Sequence, residues 1–151
     1  MQNALPEAAV ERFRNDLERL IPSGDARLGV AVSGGPDSLA LLLLCHSAYP
    51  DWTFAATVDH GLRPESMEEA GHVAKICASL GIPHSILAPL IPITGSIQAA
   101  ARTARYALLE AWAGRNGIVA ILTAHHADDQ AETLLMRLNR GAGIGGLAGV
   151  R

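Results

Sequence analysis

A short apolar run, Leu28–Val32, ends in Ser33-Gly34-Gly35-Pro36-Asp37-Ser38 and passes at once into the apolar stretch Leu39–His46. A run this short, closed by glycine and proline, predicts a buried strand, and the longer stretch after it predicts a helix. Strand, tight glycine turn and helix together open a βαβ unit, and the pattern recurs along the chain. Thr53–Val58, Ser85–Leu87 and Ile118–Thr123 predict three more strands. Glu65–Leu80, with Val73, Ile76, Cys77 and Leu80 on one stripe, predicts a helix, as do Ile97–Gly114 and Asp128–Asn139. Ahead of them Val10, Phe13, Leu17 and Leu20 fall at helical spacing within Leu5–Leu20, a helix that Pro22-Ser23-Gly24-Asp25 stops. This alternation implies an α/β fold: a parallel sheet with right-handed crossovers and helices on both faces. Such sheets bind ligands beyond the carboxyl ends of their strands, so the turns after Val32, Val58 and Thr123 are the places to search.

Composition narrows the function classes. Of 151 residues, 49% are apolar and the net charge is −3, which excludes a disordered chain and fits one domain. The longest uninterrupted apolar stretch, Leu39–Cys45, is far short of the ~20 residues of a membrane span. No basic segment precedes an apolar one near Met1, so a cytoplasmic protein that avoids the membrane is expected. Two cysteines, Cys45 and Cys77, form no disulfide framework or metal-spaced cluster and sit at core-like helical positions. Fifteen acids oppose twelve basic residues, and the pI is near 6.0. A domain that grips nucleic acid unaided is usually basic, so such a substrate would be held mostly elsewhere. Five of the fifteen glycines fall in Gly141–Arg151. This segment reads as a hinge leading into more protein, with residues 1–140 as one domain. The sequence leaves the oligomeric state open, a homodimer included.

The turn after the first strand has the makings of an anion site. Gly34 and Gly35 let the backbone take positive φ and approach a ligand closely. Pro36 suits the first helical position, and the N–H groups and helix dipole behind it favour an anion. Ser33 and Ser38 add hydroxyls, and a pyrophosphate fits. Asp37 conflicts with this, because a carboxylate ~4 Å from a phosphate charge is repelled by about 4 kcal/mol at an effective dielectric of ~20. A Mg²⁺ bridging carboxylate and phosphate removes the conflict, making Asp37 the candidate metal ligand. The plainer alternative is that Asp37 only complements the helix dipole. A Walker A loop is excluded, since the single lysine, Lys75, lies in another helix. Gly141-Ala142-Gly143-Ile144-Gly145-Gly146 matches G-x-G-x-x-G but follows a predicted helix, which argues against a dinucleotide fingerprint.

The other two turns are also polar. Asp59 and His60 leave the second strand where a ribose or base could be contacted, although Gly61 and Pro64 could simply shape a turn. After Thr123, His125-His126-Ala127-Asp128-Asp129-Gln130-Ala131-Glu132 packs two histidines and three acids into eight residues. On a helix Asp129 and Glu132 share a face, as do Asp128 and Glu132. Zinc is excluded by spacing, and a site for a cation or an amine explains the cluster better than a helix dipole does. Arg102 and Arg105, three apart on the Ile97–Gly114 helix, form either a solvated face or a phosphate-neutralising pair.

Taken together, SGGPDS, VDHGLRPES, AARTARY, TAHHADDQAET and RLNRGAGIGGLAGV resemble the N-terminal domains of the tRNA(Ile)-lysidine synthetases, within the PP-loop (N-type) ATP pyrophosphatases. They run in that family's order from Leu28 to Val150. The resemblance implies a five-stranded parallel sheet, Rossmann-like and related to the adenine nucleotide α-hydrolases. It also implies a ligase reaction. ATP adenylates the wobble cytidine of an isoleucine tRNA with a CAU anticodon, and free L-lysine then displaces AMP to give lysidine. By position, Ser33, Gly34, Gly35, Pro36, Asp37 and Ser38 would bind the ATP phosphates, with Asp37 beside Mg²⁺. Asp59 and His60 would approach the nucleotide, and Arg105 with Arg102 the phosphates or cytidine. Asp129 and Glu132 would receive cytidine and lysine, and the tRNA would be held largely by C-terminal domains. The chain departs from the pattern at Gln98, where the family usually has glutamate. Three rivals remain: a tRNA thiolase, which normally wants a cysteine pair, an amidotransferase-type synthetase, and a non-catalytic adenine-nucleotide sensor.

Overall fold

A computed structural model describes residues 5–21, 26–59, 61, 65–89, 97–127 and 130–137. Its elements run α1 (Glu7–Leu20), β1 (Arg27–Ala31), α2 (Pro36–Ala48), β2 (Thr53–Val58), α3 (Glu65–Leu80), β3 (His84–Leu87), α4 (Ile97–Asn116), β4 (Ile118–Ala127) and β5 (Gln130–Arg137). The helix expected from Leu39 starts three residues earlier, because the ring of Pro36 is already set for a first helical position.

The sheet order is β3-β2-β1-β4-β5, with β1 to β4 mutually parallel. From β1 the chain steps outward to β2 and β3, then returns through α4 to β4 on the other side of β1. Right-handed crossovers made in opposite directions put their helices on opposite faces. The two apolar clusters follow this division. One joins Leu17, Leu42, Cys45, Val73 and Cys77 of α1, α2 and α3 to Leu28, Val30 and Leu122 of the sheet. The other joins Leu109, Trp112 and Ala113 of α4 to Ala31, Ala56 and Ile121. The switch point between β1 and β4 therefore lies beside the turn that follows β1.

The face toward α4 has no room for a side chain at position 29. A Cβ there would meet two indole carbons of Trp112 at 2.8 and 2.9 Å and Ile118 Cγ2 at 3.2 Å. Gly29→Ala is expected to lower stability by about 1–3 kcal/mol, the usual range for an overpacked core. In urea it would show as an earlier midpoint at unchanged slope. An unchanged midpoint would mean that Trp112 moves aside freely.

Both cysteines are buried in the first cluster, and burial pushes each thiol up to about 11. His84, at the start of β3, holds Thr57 Oγ1 at 2.9 Å through Nε2, and burial lowers its pKa, which favours the neutral ring.

Two expectations are corrected. The segment expected as a last helix, Asp128–Asn139, carries strand β5 over Gln130–Arg137. The sheet is accordingly not five parallel strands but four with an antiparallel edge, Ala127 opposite Gln130 and Ala120 opposite Arg137. The connection explains both. Two residues separate β4 from β5, enough for a hairpin and far too few for a parallel crossover. The outer edge of β4 supplies hydrogen-bonding partners that outweigh the segment's helical spacing. β4 also contains an extra residue: Arg27 pairs with Ile118 and Leu28 with Ala120, which leaves Val119 as a bulge.

Candidate functional site

The turn from β1 into α2 is built as the sequence predicts. Gly34 has φ +97°, a conformation that side-chain-bearing residues rarely adopt, and a Cβ added there would come within 3.7 Å of Val73 and 3.8 Å of Glu69 on α3. Gly35 is extended and caps α2 without a side chain, and the first intrahelical bond runs from Leu39 N–H to Gly35 O at 3.1 Å. The N–H groups ahead of that bond and the positive end of the dipole collect at one spot. The two serines are linked across the turn. Ser33 N–H donates to Ser38 Oγ (3.1 Å), Ser38 Oγ–H to Gly35 O (3.1 Å), and Gly35 N–H to Ser33 Oγ (3.3 Å). The two hydroxyls are 3.1 Å apart. Asp37 is half-buried in the first turn of α2, with Oδ2 withdrawn from solvent.

Asp59 follows β2, and its backbone N–H donates to Leu87 O at the end of β3 (2.7 Å). Its Oδ1 accepts from Gly61 N–H (2.9 Å) and from the Ser66 hydroxyl in α3 (2.6 Å). The carboxylate thus shapes the turn into α3, as the plainer reading of this segment expects, while standing at the carboxyl edge of the parallel strands. His60 lies outside the described residues.

The turn expected after Thr123 does not form: β4 runs on through His125 and His126 to Ala127, so these histidines are strand residues. Thr123 pairs with Ala31, so the backbone of His125 lies two residues past that level, as does Ser33 on β1, and Glu132 pairs with His125. The helical face expected to join Glu132 to Asp128 and Asp129 does not form, because Glu132 is in a strand. Asp128 and Asp129 lie outside the described residues, as does Gly141–Arg151.

On α4, Arg102 is exposed and its guanidinium stands over the Tyr106 ring, 5.3 Å from the centroid. Arg105 is half-buried, and its pKa is lowered chiefly by burial, with Arg102 adding to the effect and Tyr106 opposing it. The described ion pairs are Arg14–Glu11 and Arg19–Asp16, so no described carboxylate pairs with Arg105. Tyr106 packs on the apolar cluster that α4 shares with the sheet. The support from Tyr106 was legible in sequence as an i, i+4 arginine–tyrosine spacing, though it carries no role in the motif reading. The nearness of Glu69 to the glycine turn had no such signal, because it joins two crossover units.

Among the described residues no three His, Cys, Asp or Glu side chains gather as a metal cage. Mg²⁺ does not require one: it is commonly held by one or two carboxylates, substrate phosphates and water. Asp37 at the mouth of an anion-favouring turn fits that chemistry. No described helix is long and apolar enough to cross a membrane.

A family model described as the PP-loop domain matches residues 7–151. The chain is 58% identical over 150 residues to a tRNA(Ile)-lysidine synthase from Zymomonas mobilis, covering 97% of this chain and 44% of that protein. It is 55% identical over 143 residues to one from Novosphingobium aromaticivorans, covering 95% and 43%. The chain therefore spans less than half the length of these relatives. In fold it is similar to the U34-tRNA thiolase NcsA from Methanococcus maripaludis, with TM-score 0.66, 17% identity and coverage of 82% and 48%. It is also similar to an NH3-dependent NAD synthetase from Campylobacter jejuni, with TM-score 0.57, 17% identity and coverage of 78% and 54%.

Proposed function

We propose, from the premise that this chain belongs to the PP-loop domain family, that it is the adenylating part of a tRNA(Ile)-lysidine synthase. The observation that carries the ATP reading is the β1–α2 turn, with Gly34 at positive φ and a helix start that no side chain caps. The choice among PP-loop chemistries rests on the relatives described above.

In this reading the pyrophosphate part of ATP lies on Ser33, Gly34, Gly35, Pro36, Asp37 and Ser38, with Asp59 and His60 near the nucleoside. The carbon-2 oxygen of the wobble cytidine attacks the α-phosphorus; an O–P bond forms and the bond to the β-phosphate oxygen breaks. Arg105, assisted by Arg102, faces the charge that develops on the phosphates. The amine of L-lysine then attacks carbon 2, the C–O bond breaks, AMP leaves, and lysidine remains. Asp129 and Glu132 suit the lysine side of the site, because an ammonium must be captured and then lose a proton before it attacks. Asp37 would hold Mg²⁺, which when bound would supply neutralisation of phosphate charge. Residues 1–140 form the catalytic domain, and 141–151 lead toward the parts that hold the tRNA, in keeping with the net charge of −3.

The thiolase alternative is disfavoured by the cysteines, which are buried in the core with their thiols shifted toward the unreactive protonated form. The test supplies the protein, at the length of its relatives, with ATP, Mg²⁺, labelled lysine and an isoleucine tRNA bearing a CAU anticodon. Label joined stably to the wobble cytidine is the expected result, and the 151-residue chain alone should bind ATP yet incorporate little. ATP bound without pyrophosphate release would favour the nucleotide sensor. Pyrophosphate release without lysine would leave an adenylating enzyme with another nucleophile.

A further inference from the structure

Three residues on one face of α3 reach two different turns. Ser66, Glu69 and Val73 follow one another at spacings of three and four, so they stand above one another along the helix. Ser66, in the first turn of α3, donates its hydroxyl proton to Asp59 Oδ1 at 2.6 Å. The same oxygen accepts from Gly61 N–H at 2.9 Å, with Gly61 at φ +70°. The direction of both bonds is fixed, because an ionised carboxylate only accepts. Asp59 is also tied to the sheet, its backbone N–H reaching Leu87 O at 2.7 Å. About two turns further along α3, Val73 is fully buried, and its Cγ2 would be 3.7 Å from a Cβ at Gly34. Glu69 Cβ would be 3.8 Å from the same point. These are ordinary van der Waals distances, so α3 lies against the turn after β1 while its first turn is bonded to the turn after β2.

We propose that Ser66 is a positioning residue, which fixes the turn after β2 against α3 and thereby sets its distance from the glycine turn after β1. The inference rests on the reading of this edge as the one that receives ATP. In that reading the phosphates lie at one turn and the nucleoside at the other, so one ligand must satisfy both at once. β1 and β2 are neighbours in the sheet, and the last bond between them runs from Val32 N–H to Ala56 O at 2.9 Å. Beyond that bond the two turns leave the ladder, and α3 reaches both. A ligand that bridges the turns senses their separation, whereas one that fills the glycine turn alone does not. Ser66 then acts on affinity by holding the separation before the nucleotide arrives, so less order has to be created on binding.

Calorimetric titrations with two probes, ATP and inorganic pyrophosphate, each with Mg²⁺, separate this role from a general effect on the fold. Ser66→Ala removes a hydrogen bond to a charged group and should weaken ATP binding about tenfold, while pyrophosphate stays within about twofold. Ser66→Thr, which keeps the hydroxyl, should restore the affinity for ATP. Amide hydrogen exchange, followed by NMR without nucleotide, gives the second readout. Gly61 N–H should exchange faster in Ser66→Ala than in Ser66→Thr or the unsubstituted chain, because the carboxylate it bonds loses an anchor. The core amides of Val30 and Leu42 should be unchanged. An equal loss for ATP and pyrophosphate would overturn the proposal, since the glycine turn itself would then have changed. Unchanged ATP affinity in Ser66→Ala would overturn it as well, leaving the bond a local feature of its turn. Weaker ATP binding at unchanged Gly61 exchange would do the same, because Ser66 would then touch the nucleotide directly. A Gly61 amide as fast as an unstructured one in the unsubstituted chain would overturn it with no variant needed. If the unsubstituted chain takes up pyrophosphate and no ATP, the nucleotide reading fails, and the Gly61 rates still decide whether Ser66 holds the turn.

Discussion

On the proposed function, and in a protein at the length of its relatives, Asp37→Ala is expected to lower lysine incorporation into tRNA by about a thousandfold while the protein stays folded. The carboxylate is half-buried in the first turn of α2, beside a glycine turn that favours an anion. On the proposed reading a phosphate in this turn would lie beside the carboxylate, and a cation between them would relieve the repulsion; metal neutralisation of a transferring phosphate is worth several kcal/mol. A loss of about 4 kcal/mol in the transition state is a thousandfold in rate. The competing account, in which Asp37 only complements the helix dipole, predicts a loss of about 0.3–1 kcal/mol in stability and little change in rate. Measuring incorporation and the urea midpoint on the same variant separates the two. Asp37→Asn sharpens the comparison, because it keeps the shape and removes the charge. Full activity in Asp37→Asn would dismiss the metal-ligand role.

Arg105→Met is expected to cost about a hundredfold to a thousandfold in rate, the usual effect of removing one donor from a developing charge. The same change should leave the melting temperature of the nucleotide-free protein level or raise it. The reason is the combination found at this residue: a half-buried guanidinium, no described carboxylate beside it, and Arg102 near enough to repel it. Burying a charge without a partner is unfavourable, so an apolar chain of similar length should pack at least as well. A group that weakens the empty protein and helps only when an anion arrives fits a binding role. Arg102→Ala should have the smaller effect, since that side chain is exposed and already rests on Tyr106. A large drop in stability with unchanged activity for Arg105→Met would make the residue structural instead.

The elements predicted best were those whose signal is local. Thr53–Val58 and Glu65–Leu80 carry their own periodicity and end at glycine or proline punctuation, and both have the predicted bounds. The glycine turn was equally legible, because positive φ at Gly34 and a proline at the first helical position are demands of the backbone itself. The segment Gln130–Arg137 was misread for the opposite reason. Its spacing suits a helix, but its state depends on an edge of β4 that exists only once the sheet has formed. With it went the expected helical face of acids, so Glu132 sits opposite His125 instead of above Asp128.

Gly29 shows the same boundary within a strand that was predicted well. Its place in an apolar run was visible, yet the need for glycine comes from Trp112, more than eighty residues away in sequence. By itself the sequence determined the alternation of strands and helices, the anion-favouring turn and the chemistry to look for there, because each follows from residues adjacent along the chain. Only the tertiary structure decided the direction of the last strand, the tight packing at Gly29 and the half-buried setting of Arg105, with no described carboxylate beside it. Those depend on which surfaces meet across the sheet, and contact between distant residues leaves little trace in local periodicity.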